Sequence, residues 1–252
     1  MAETNDSRAI YPSLRGKRVL ITGGGSGIGA GIVEAFARQE ADVAFIDICE
    51  DESRALADRT GARFLPVDLK DVGATQGAIG ELANQGGAID VLVNNAANDD
   101  RHSIGDVTEG YWDDRLNVNL KHQFFCAQAV APGMRSNGGG AIVNLGSISW
   151  HLALPELVLY QTCKAAIEGM TRALARDLGR DNIRVTCVVP GNVRTPRQLQ
   201  WYTPEGEAEI VSAQALKGRL GPEDVAALVL FLASADARLI TGHEYFVDAG
   251  WR

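Results

Sequence analysis

The stretch SISWHLALPELVLYQTCK, residues 147–164, concentrates side chains that could do acid–base chemistry. Tyr160 and Lys164 are four residues apart in a segment of helical period, so both project from one face of a helix. The ordinary pKa of a tyrosine is about 10, and it must fall by about 2–3 pH units before the side chain can act as a base near neutrality. Lys164 and a second positive charge nearby could stabilise the phenolate. Alone, this spacing is common and a solvated helix face also explains it, so the assignment depends on the surrounding motifs.

A glycine-rich turn, TGGGSGIG at residues 22–29, follows the first apolar run and leads into a helix. Glycines let a backbone turn sharply and approach a pyrophosphate, which the helix N-terminus stabilises. Asp47 ends the second apolar run, at about the offset where an acid binds the adenosine ribose. A 2′-phosphate there would be repelled by about 3 kcal/mol. The pattern predicts a dinucleotide site that favours NAD over NADP, although a strand-end Asp can also be a helix N-cap.

Short β-branched runs alternate with Ala-rich segments of helical period along the chain. The runs are RVLIT, DVAFID, RFLPVD, DVLVNN, AIVNLGS, IRVTCVV and HEYFVD, and a long helix is predicted over about 159–178. This alternation predicts a single α/β domain over residues 1–252, a doubly wound Rossmann fold whose seven-stranded parallel sheet has helices on both faces. The active site should lie at the carboxyl ends of the strands. The periodicity weakens over about 194–216, which predicts a mobile flap over the substrate.

Composition excludes several classes of function. The formal net charge of −8 argues against nucleic-acid binding, which needs clustered Lys and Arg. We see neither a signal peptide nor a run of about 20 apolar residues, so a cytoplasmic protein with no membrane partner is expected. Four scattered cysteines, without a Cys/His cluster, predict reduced thiols and no metal site.

Several further motifs accompany the glycine-rich turn and the Tyr160–Lys164 pair. They are Asp68-Leu69, NNAA from Asn94, NVNL from Asn117, PGNVRT from Pro190 and the closing VDAGW. Together they resemble the classical short-chain dehydrogenase/reductase family over nearly the whole chain. The resemblance implies a catalytic tetrad of Asn119, Ser147, Tyr160 and Lys164. Tyr160 would be the base, Ser147 would bind the reacting oxygen, Lys164 would hold the nicotinamide ribose, and Asn119 would help hold a water on a proton path.

The same resemblance implies a set of cofactor contacts. They would come from Gly23, Ser26, Gly27, Ile28, Gly29, Asp47, Asp68, Leu69, Asn95, Ala96, Pro190, Gly191, Val193 and Thr195. Two positions depart from the family pattern. Ala97 stands where the family usually has Gly, and Gly146 stands where a serine often precedes the catalytic one. Neither change removes a reacting group.

The segments that select the substrate in this family are here NDDRH at residues 98–102, SWHLAL at residues 149–154 and NVRTPRQLQWYTPEGE at residues 192–207. They are rich in amides, imidazoles and indoles, which suits a polyol or sugar. They also resemble the bacterial NAD-dependent D-xylose 1-dehydrogenases within the family. That resemblance implies oxidation of the anomeric hydroxyl of an aldose, most of all D-xylose, to its lactone. Another sugar (L-arabinose, L-fucose or D-galactose) or another secondary alcohol remains an alternative. The candidate substrate residues are Asn98, Ser149, Trp150, His151, Asn192 and Trp201.

Each of these substrate assignments has an alternative, since Asn98 and Asn192 could simply satisfy backbone turns. His102 is expected to be a solvated loop residue, and Thr162 and Cys163 are expected to pack in the core. A catalytically silent NAD-binding protein is the alternative from another functional class, although all four tetrad residues are present. The apolar last helix and last strand, together with the resemblance, predict a homotetramer.

Overall fold

The computed structural model describes residues 8–200 and 202–252. Within these ranges seven strands form one parallel sheet in the order β3-β2-β1-β4-β5-β6-β7. The strands are β1 Arg18–Thr22, β2 Asp42–Asp47, β3 Arg63–Pro66, β4 Val91–Asn94, β5 Gly140–Leu145, β6 Ile183–Pro190 and β7 Glu244–Val247. This confirms the predicted doubly wound parallel sheet and the placement of every predicted strand.

Helices follow the strands and cover both faces of the sheet. They are α1 Gly27–Arg38, α2 Glu50–Thr60, α3 Val72–Gly86, α4 Glu109–Leu116, α5 His122–Ser136, α6 Val158–Leu178, α7 Pro196–Leu199, α8 Pro204–Ala213 and α9 Pro222–Ala233. Between α4 and α5 the chain forms a π-helical turn at Asn117–Lys121. Short 3-10 turns lie at Pro12–Leu14, Ile104–Asp106, Gly179–Asp181 and Ala235–Ala237.

Alternate strand residues pack on opposite faces of the sheet, as the period of a β-strand requires. On β1, Val19 and Ile21 pack with α1 and α9, whereas Leu20 packs with α3 and α5. Strands buried on both faces are therefore continuously apolar, which explains runs such as RVLIT. The strand order reverses between β3-β2-β1 and β4-β5-β6-β7, so a crevice opens between the carboxyl ends of β1 and β4.

The segment predicted as a flap, about residues 194–216, contains two short helices, α7 and α8. Both begin with proline after a threonine N-cap, and the side chains of Thr195 and Thr203 accept backbone N–H bonds from Gln198 and Gly206. Local capping supplies the order that hydrophobic periodicity did not reveal. These helices lie after β6, at the carboxyl edge of the sheet where the crevice opens.

Candidate active site

The glycine-rich turn between β1 and α1 leaves the start of α1 without a side-chain cap. Ser26 occupies the N-cap position and is exposed, but its side chain makes no cap hydrogen bond. By contrast, Asp71, Thr108 and Thr195 cap their helices through their side chains. The first N–H groups of α1 are therefore available to an anion such as a pyrophosphate.

The turn has room for glycine alone at its tightest point. A Cβ at Gly29 would lie 1.8 Å from the carbonyl oxygen of Gly23, and Gly23 itself has φ +66° and closely approaches Ala96. Gly27 has φ +54°, a left-handed conformation that glycine adopts readily. These contacts hold the backbone in the sharp turn that aims α1 at the crevice.

Asp47, at the end of β2, lies beside this turn. Its Oδ2 accepts the Gly25 N–H at 2.7 Å, and its Oδ1 accepts the N–H groups of Ile48 and Cys49 at 2.7 and 3.0 Å. Two carboxylate oxygens can accept about four hydrogen bonds, so capacity remains for a ribose hydroxyl. The Asp47 side chain fits a ribose-binding acid, and it also fixes the glycine-rich turn.

Asn95 and Ala96 join β4 to the glycine-rich turn across the crevice. The Asn95 side-chain amide donates to the carbonyl oxygens of Thr22 and Gly23 at 3.0 and 2.8 Å. The backbone N–H groups of Asn95 and Ala96 both lie within 3.2 Å of Thr22 Oγ1. The next residue, Ala97, is exposed and is not among the residues with positive φ, so its extra methyl is tolerated as expected.

The remaining predicted cofactor residues lie at the same edge of the sheet. Asp68 is exposed and accepts the Lys70 N–H at 2.9 Å, whereas Leu69 is buried. After β6, which ends at Pro190, Gly191 packs so closely on Asp248 that a Cβ would lie 2.7 Å from its Cα. Val193 forms a bridge with Leu220, and Thr195 is buried at the start of α7.

Lys164 is a fully buried cation beneath Tyr160. Its side chain is 1% exposed, and its Nζ donates to the Leu145 carbonyl oxygen at 2.8 Å and lies 5.4 Å from the centre of the Tyr160 ring. Burial lowers the pKa of Lys164 to about 8, and the nearby Asp99 carboxylate opposes that fall. The structure therefore joins the pair that the i, i+4 spacing predicted.

The pKa of Tyr160 lies above its ordinary value, because partial burial disfavours the phenolate and because the Asp99 carboxylate is near. A side-chain hydrogen bond with Ser147 and the charge of Arg197 act in the opposite direction. The expected lowering by Lys164 is thus not found in the protein alone. Forming the phenolate requires additional positive charge or hydrogen bonds at the site.

Ser147 lies after β5 in a small hydroxyl pair. Its Oγ donates to Ser149 Oγ at 3.0 Å and accepts the Ser149 N–H at 3.1 Å. Ser149 is buried, and its two hydrogen bonds to Ser147 hold the Ser147 side chain in place. Packing explains the glycine at position 146, because a Cβ there would lie 3.0 Å from Cys187 Sγ and 3.5 Å from Glu168 Oε1.

Asn119 lies in the π-helical turn and is fully buried. Its side-chain amide donates to the carbonyl oxygens of Asn98 and Arg115 at 3.0 and 2.9 Å, and its Oδ1 accepts the Asn98 N–H at 2.8 Å. Both amide protons are therefore used on the backbone. The Asn119 side chain ties α4 to the loop after β4, and π-turns of this kind are frequent at functional sites.

Trp150 and His151, both predicted to bind substrate, contact one carboxylate that the sequence did not single out. Trp150 Nε1 donates to Glu168 Oε1 at 2.9 Å, and His151 Nε2 lies 3.0 Å from the same oxygen. The centres of the Trp150 and His151 rings are 3.8 Å apart, and the His151 ring also packs edge-on against Phe246. Glu168 lies one turn after Lys164 on α6, so this cluster fixes the loop that carries Ser147.

The other predicted substrate residues lie in loops that face the flap. Asn192 Oδ1 accepts Tyr202 Oη at 2.6 Å and Arg219 Nη2 at 2.9 Å. Asn98 Oδ1 accepts the Asp100 N–H at 2.9 Å and Arg197 Nη2 at 3.3 Å. Trp201, also predicted as a substrate residue, lies outside the described residues.

Two expectations about neighbouring residues were wrong. Thr162 is exposed and its Oγ1 donates to the Val158 carbonyl oxygen, because the core face of α6 runs through Leu159, Cys163 and Ile167 instead. His102, expected in solvent, is half-buried: its N–H donates to the Glu156 carbonyl oxygen, and its ring packs against Tyr111. Cys163 is fully buried, as predicted.

Among the residues that the structure describes, Cys49 is exposed and Cys126, Cys163 and Cys187 are buried, all as free thiols. In the described part of the chain, no group of three or more His, Cys, Asp or Glu residues is arranged to hold a metal ion. None of the helices within residues 8–200 and 202–252 combines the length and apolar character needed to cross a bilayer.

Comparison with known proteins identifies relatives over the full domain. Residues 23–252 match a family model described as enoyl-(acyl carrier protein) reductase. A D-xylose 1-dehydrogenase of Caulobacter vibrioides is 66% identical over 251 residues, covering 98% of this chain and 100% of the relative. A probable galactose dehydrogenase of Rhizobium meliloti is 47% identical over 247 residues, covering 95% of this chain and 96% of the relative.

Solved structures share the fold closely. A 7α-hydroxysteroid dehydrogenase complexed with NADH superposes with a TM-score of 0.89 at 30% identity, covering 95% of this chain and 96% of that chain. A short-chain dehydrogenase of Burkholderia cenocepacia in complex with NADP superposes with a TM-score of 0.87 at 34% identity, covering 95% and 99%. The two neighbours bind different nicotinamide dinucleotides, so likeness of fold alone does not choose between them.

Proposed function

This chain belongs to the short-chain dehydrogenase/reductase family, and we propose that it oxidises the anomeric hydroxyl of D-xylose to the lactone with NAD. The choice of D-xylose as substrate rests on the 66% identity to a D-xylose 1-dehydrogenase over 98% of this chain. The relative described as a probable galactose dehydrogenase supports the broader class of aldoses.

The proposed proton transfer is performed by Tyr160. Its phenolate takes the proton of the anomeric hydroxyl. The Ser147 hydroxyl, which donates to Ser149 Oγ in the structure and accepts the Ser149 N–H, would rotate its proton towards the reacting oxygen. Lys164 lies below the tyrosine ring and supplies the buried positive charge of the site. A bound nicotinamide dinucleotide would accept the hydride from the anomeric carbon.

The choice of NAD is supported by Asp47. Its carboxylate is fixed by three backbone N–H groups at the end of β2, where it can accept a ribose hydroxyl. A 2′-phosphate at this position would meet the carboxylate as a like charge. The exposed Ile48 and Ser26 beside it carry no compensating cation.

We also propose that the chain acts as a single-domain homotetramer in the cytoplasm. Large apolar side chains exposed on α4 and α5, Trp112 at 43% and Phe124 at 42%, support an association surface. Leu239, before β7, is 83% exposed and supports a second one. Sedimentation of the purified chain as a monomer would contradict the tetramer.

A substrate panel tests the proposed reaction. The purified protein is incubated with NAD, and in parallel with NADP, and with D-xylose, L-arabinose, L-fucose, D-galactose and nonsugar secondary alcohols. The reduced cofactor is followed by its absorbance. We expect the highest kcat/KM with D-xylose and NAD, and lactone as the product. Turnover of a nonsugar alcohol without turnover of any aldose would refute the substrate, and no turnover of any alcohol would favour a silent binding protein.

A further inference from the structure

Asp99, in the loop after β4, connects the flap to the reacting groups. Its Oδ1 accepts Arg197 Nε at 3.1 Å and its Oδ2 accepts Gln198 Nε2 at 2.9 Å, both from the flap helix α7. The side chain is 33% exposed. Each carboxylate oxygen can accept about two hydrogen bonds, so both retain capacity for another donor.

The backbone on either side of Asp99 is fixed by the catalytic machinery. Asn119 binds both the N–H and the carbonyl oxygen of Asn98, and the Asn98 side chain accepts the Asp100 N–H. Residues 98–100 therefore cannot shift independently of Asn119. This anchoring sets the position of the Asp99 carboxylate relative to the tetrad.

The Asp99 carboxylate, held between the loop that Asn119 anchors and α7, is near enough to Tyr160 and Lys164 for its charge to act on both. After burial, its charge is the next largest influence that raises the pKa of Tyr160, and it also acts on Lys164. A carboxylate in this position opposes formation of the phenolate that the reaction needs. Arg197 partly offsets this effect at Tyr160. The Asp99 carboxylate therefore lies near the groups that would face the aldose, with acceptor capacity beyond its bonds to Arg197 and Gln198.

Asp100 has a different environment, although it is the next residue and binds the same arginine. Its Oδ1 accepts Arg197 Nη2 at 2.6 Å and its Oδ2 accepts Arg115 Nη1 at 3.1 Å. Its side chain is 52% exposed. Asp99 and Asp100 thus share the flap contact, but Asp100 is the more exposed of the two and is also bound by Arg115.

We propose that Asp99 is a specificity-determining residue that accepts a hydrogen bond from a ring hydroxyl of the aldose other than the one oxidised. This inference rests on the proposed function. Charge-assisted hydrogen bonds are about twice as strong as neutral ones, so a carboxylate is an effective acceptor for a sugar hydroxyl. An apolar alcohol would remove water from the carboxylate without replacing its hydrogen bonds, and would be disfavoured.

The test compares Asp99→Asn with Asp100→Asn on D-xylose and on its 2-deoxy, 3-deoxy and 4-deoxy analogues. We expect the wild type to lose about 10- to 100-fold in kcat/KM on the analogue that lacks the recognised hydroxyl. Asp99→Asn keeps a neutral acceptor at Oδ1, so it should lose about 3- to 10-fold on D-xylose, and its further loss on that analogue should be smaller than the wild-type loss by a similar factor. Asp100→Asn should keep the wild-type discrimination among the analogues.

The kinetics of the two variants distinguish recognition of a sugar hydroxyl by Asp99 from a role in holding the flap. If both variants lower kcat/KM equally for D-xylose and all analogues, Asp99 only holds the flap and the inference is overturned. If Asp99→Asn retains the wild-type discrimination, another residue recognises the hydroxyl. Affinity for NADH, measured by fluorescence, should be unchanged in both variants and shows that they are folded. If the wild type oxidises no aldose, the proposed function itself fails, a result distinct from a wild type that turns over with an insensitive variant.

Discussion

Replacing Lys164 with methionine should stabilise the folded protein at neutral pH while removing its activity. The Lys164 side chain is 1% exposed, and burial lowers its pKa from 10.5 to about 8. That fall corresponds to about 3 kcal/mol of unfolding free energy lost by keeping the ammonium charged in the interior. Methionine is similar in length and carries no charge to bury.

The gain is reduced by one lost hydrogen bond. Lys164 Nζ donates to the Leu145 carbonyl oxygen, and an unpaired buried carbonyl costs about 1–2 kcal/mol. The net expectation for Lys164→Met is about 1–2 kcal/mol of added stability at pH 7. For a chain of 252 residues this corresponds to a rise of about 3–6 °C in Tm.

The gain should depend on pH with a definite sign. The folded protein binds fewer protons than the unfolded chain between pH 8 and pH 10.5, so wild-type stability contributed by Lys164 rises across that window. Below pH 8 the full cost of the charge is present. The advantage of Lys164→Met is therefore largest at pH 7 and disappears towards pH 10.5, where only the unpaired carbonyl remains.

Calorimetry without added dinucleotide, at pH 7 and pH 10, measures this difference. Lys121→Met is the control, because Lys121 is exposed in the π-helical turn and its replacement should leave Tm unchanged within about 1 °C. A Lys164→Met variant that melts several degrees lower than the wild type, by the same amount at both pH values, would refute the reasoning.

Two further changes test the cofactor site. Gly29→Ala places a Cβ 1.8 Å from the Gly23 carbonyl oxygen, so the turn must open. We expect NADH binding, measured by calorimetric titration, to weaken at least about tenfold, which corresponds to about 1.4 kcal/mol. Gly77→Ala on α3 is the control, since no atom lies within 4 Å of its added Cβ, and unchanged binding in Gly29→Ala would contradict the assignment. Asp47→Asn should raise the ratio of kcat/KM for NADP to that for NAD by about 10- to 100-fold, because a like charge facing the 2′-phosphate is removed. The exposed Asp58→Asn should leave the ratio unchanged, and equal ratios in both variants would remove Asp47 from cofactor selection.

Local sequence patterns predicted the sheet and the pairing of Tyr160 with Lys164, because each depends on short-range geometry. Short β-branched apolar runs identified the strands, and the i, i+4 spacing brought Tyr160 above Lys164. Asp47 could be found because it ends a strand at a set distance from the glycine-rich turn. These features require no knowledge of how distant segments meet.

Contacts between distant segments were not predictable in the same way. Glu168 binds Trp150 and His151 only because α6 packs on the loop after β5, and Arg197 reaches Asp99 across 98 residues of sequence. The π-helical turn that holds Asn119 reads as ordinary helix in sequence. The pKa of Tyr160 is raised because burial and the Asp99 carboxylate, which spacing does not reveal, outweigh the Ser147 hydrogen bond and the charge of Arg197.

The most direct test of the account is the effect of Tyr160→Phe on oxidation of D-xylose with NAD. The change removes the proposed base and keeps the ring over Lys164. We predict a fall in kcat of about 10²–10⁴-fold with unchanged NADH affinity, and no such fall for Tyr245→Phe on β7. A Tyr160→Phe enzyme that retains kcat within about threefold of the wild type would contradict the assignment of Tyr160 as the general base.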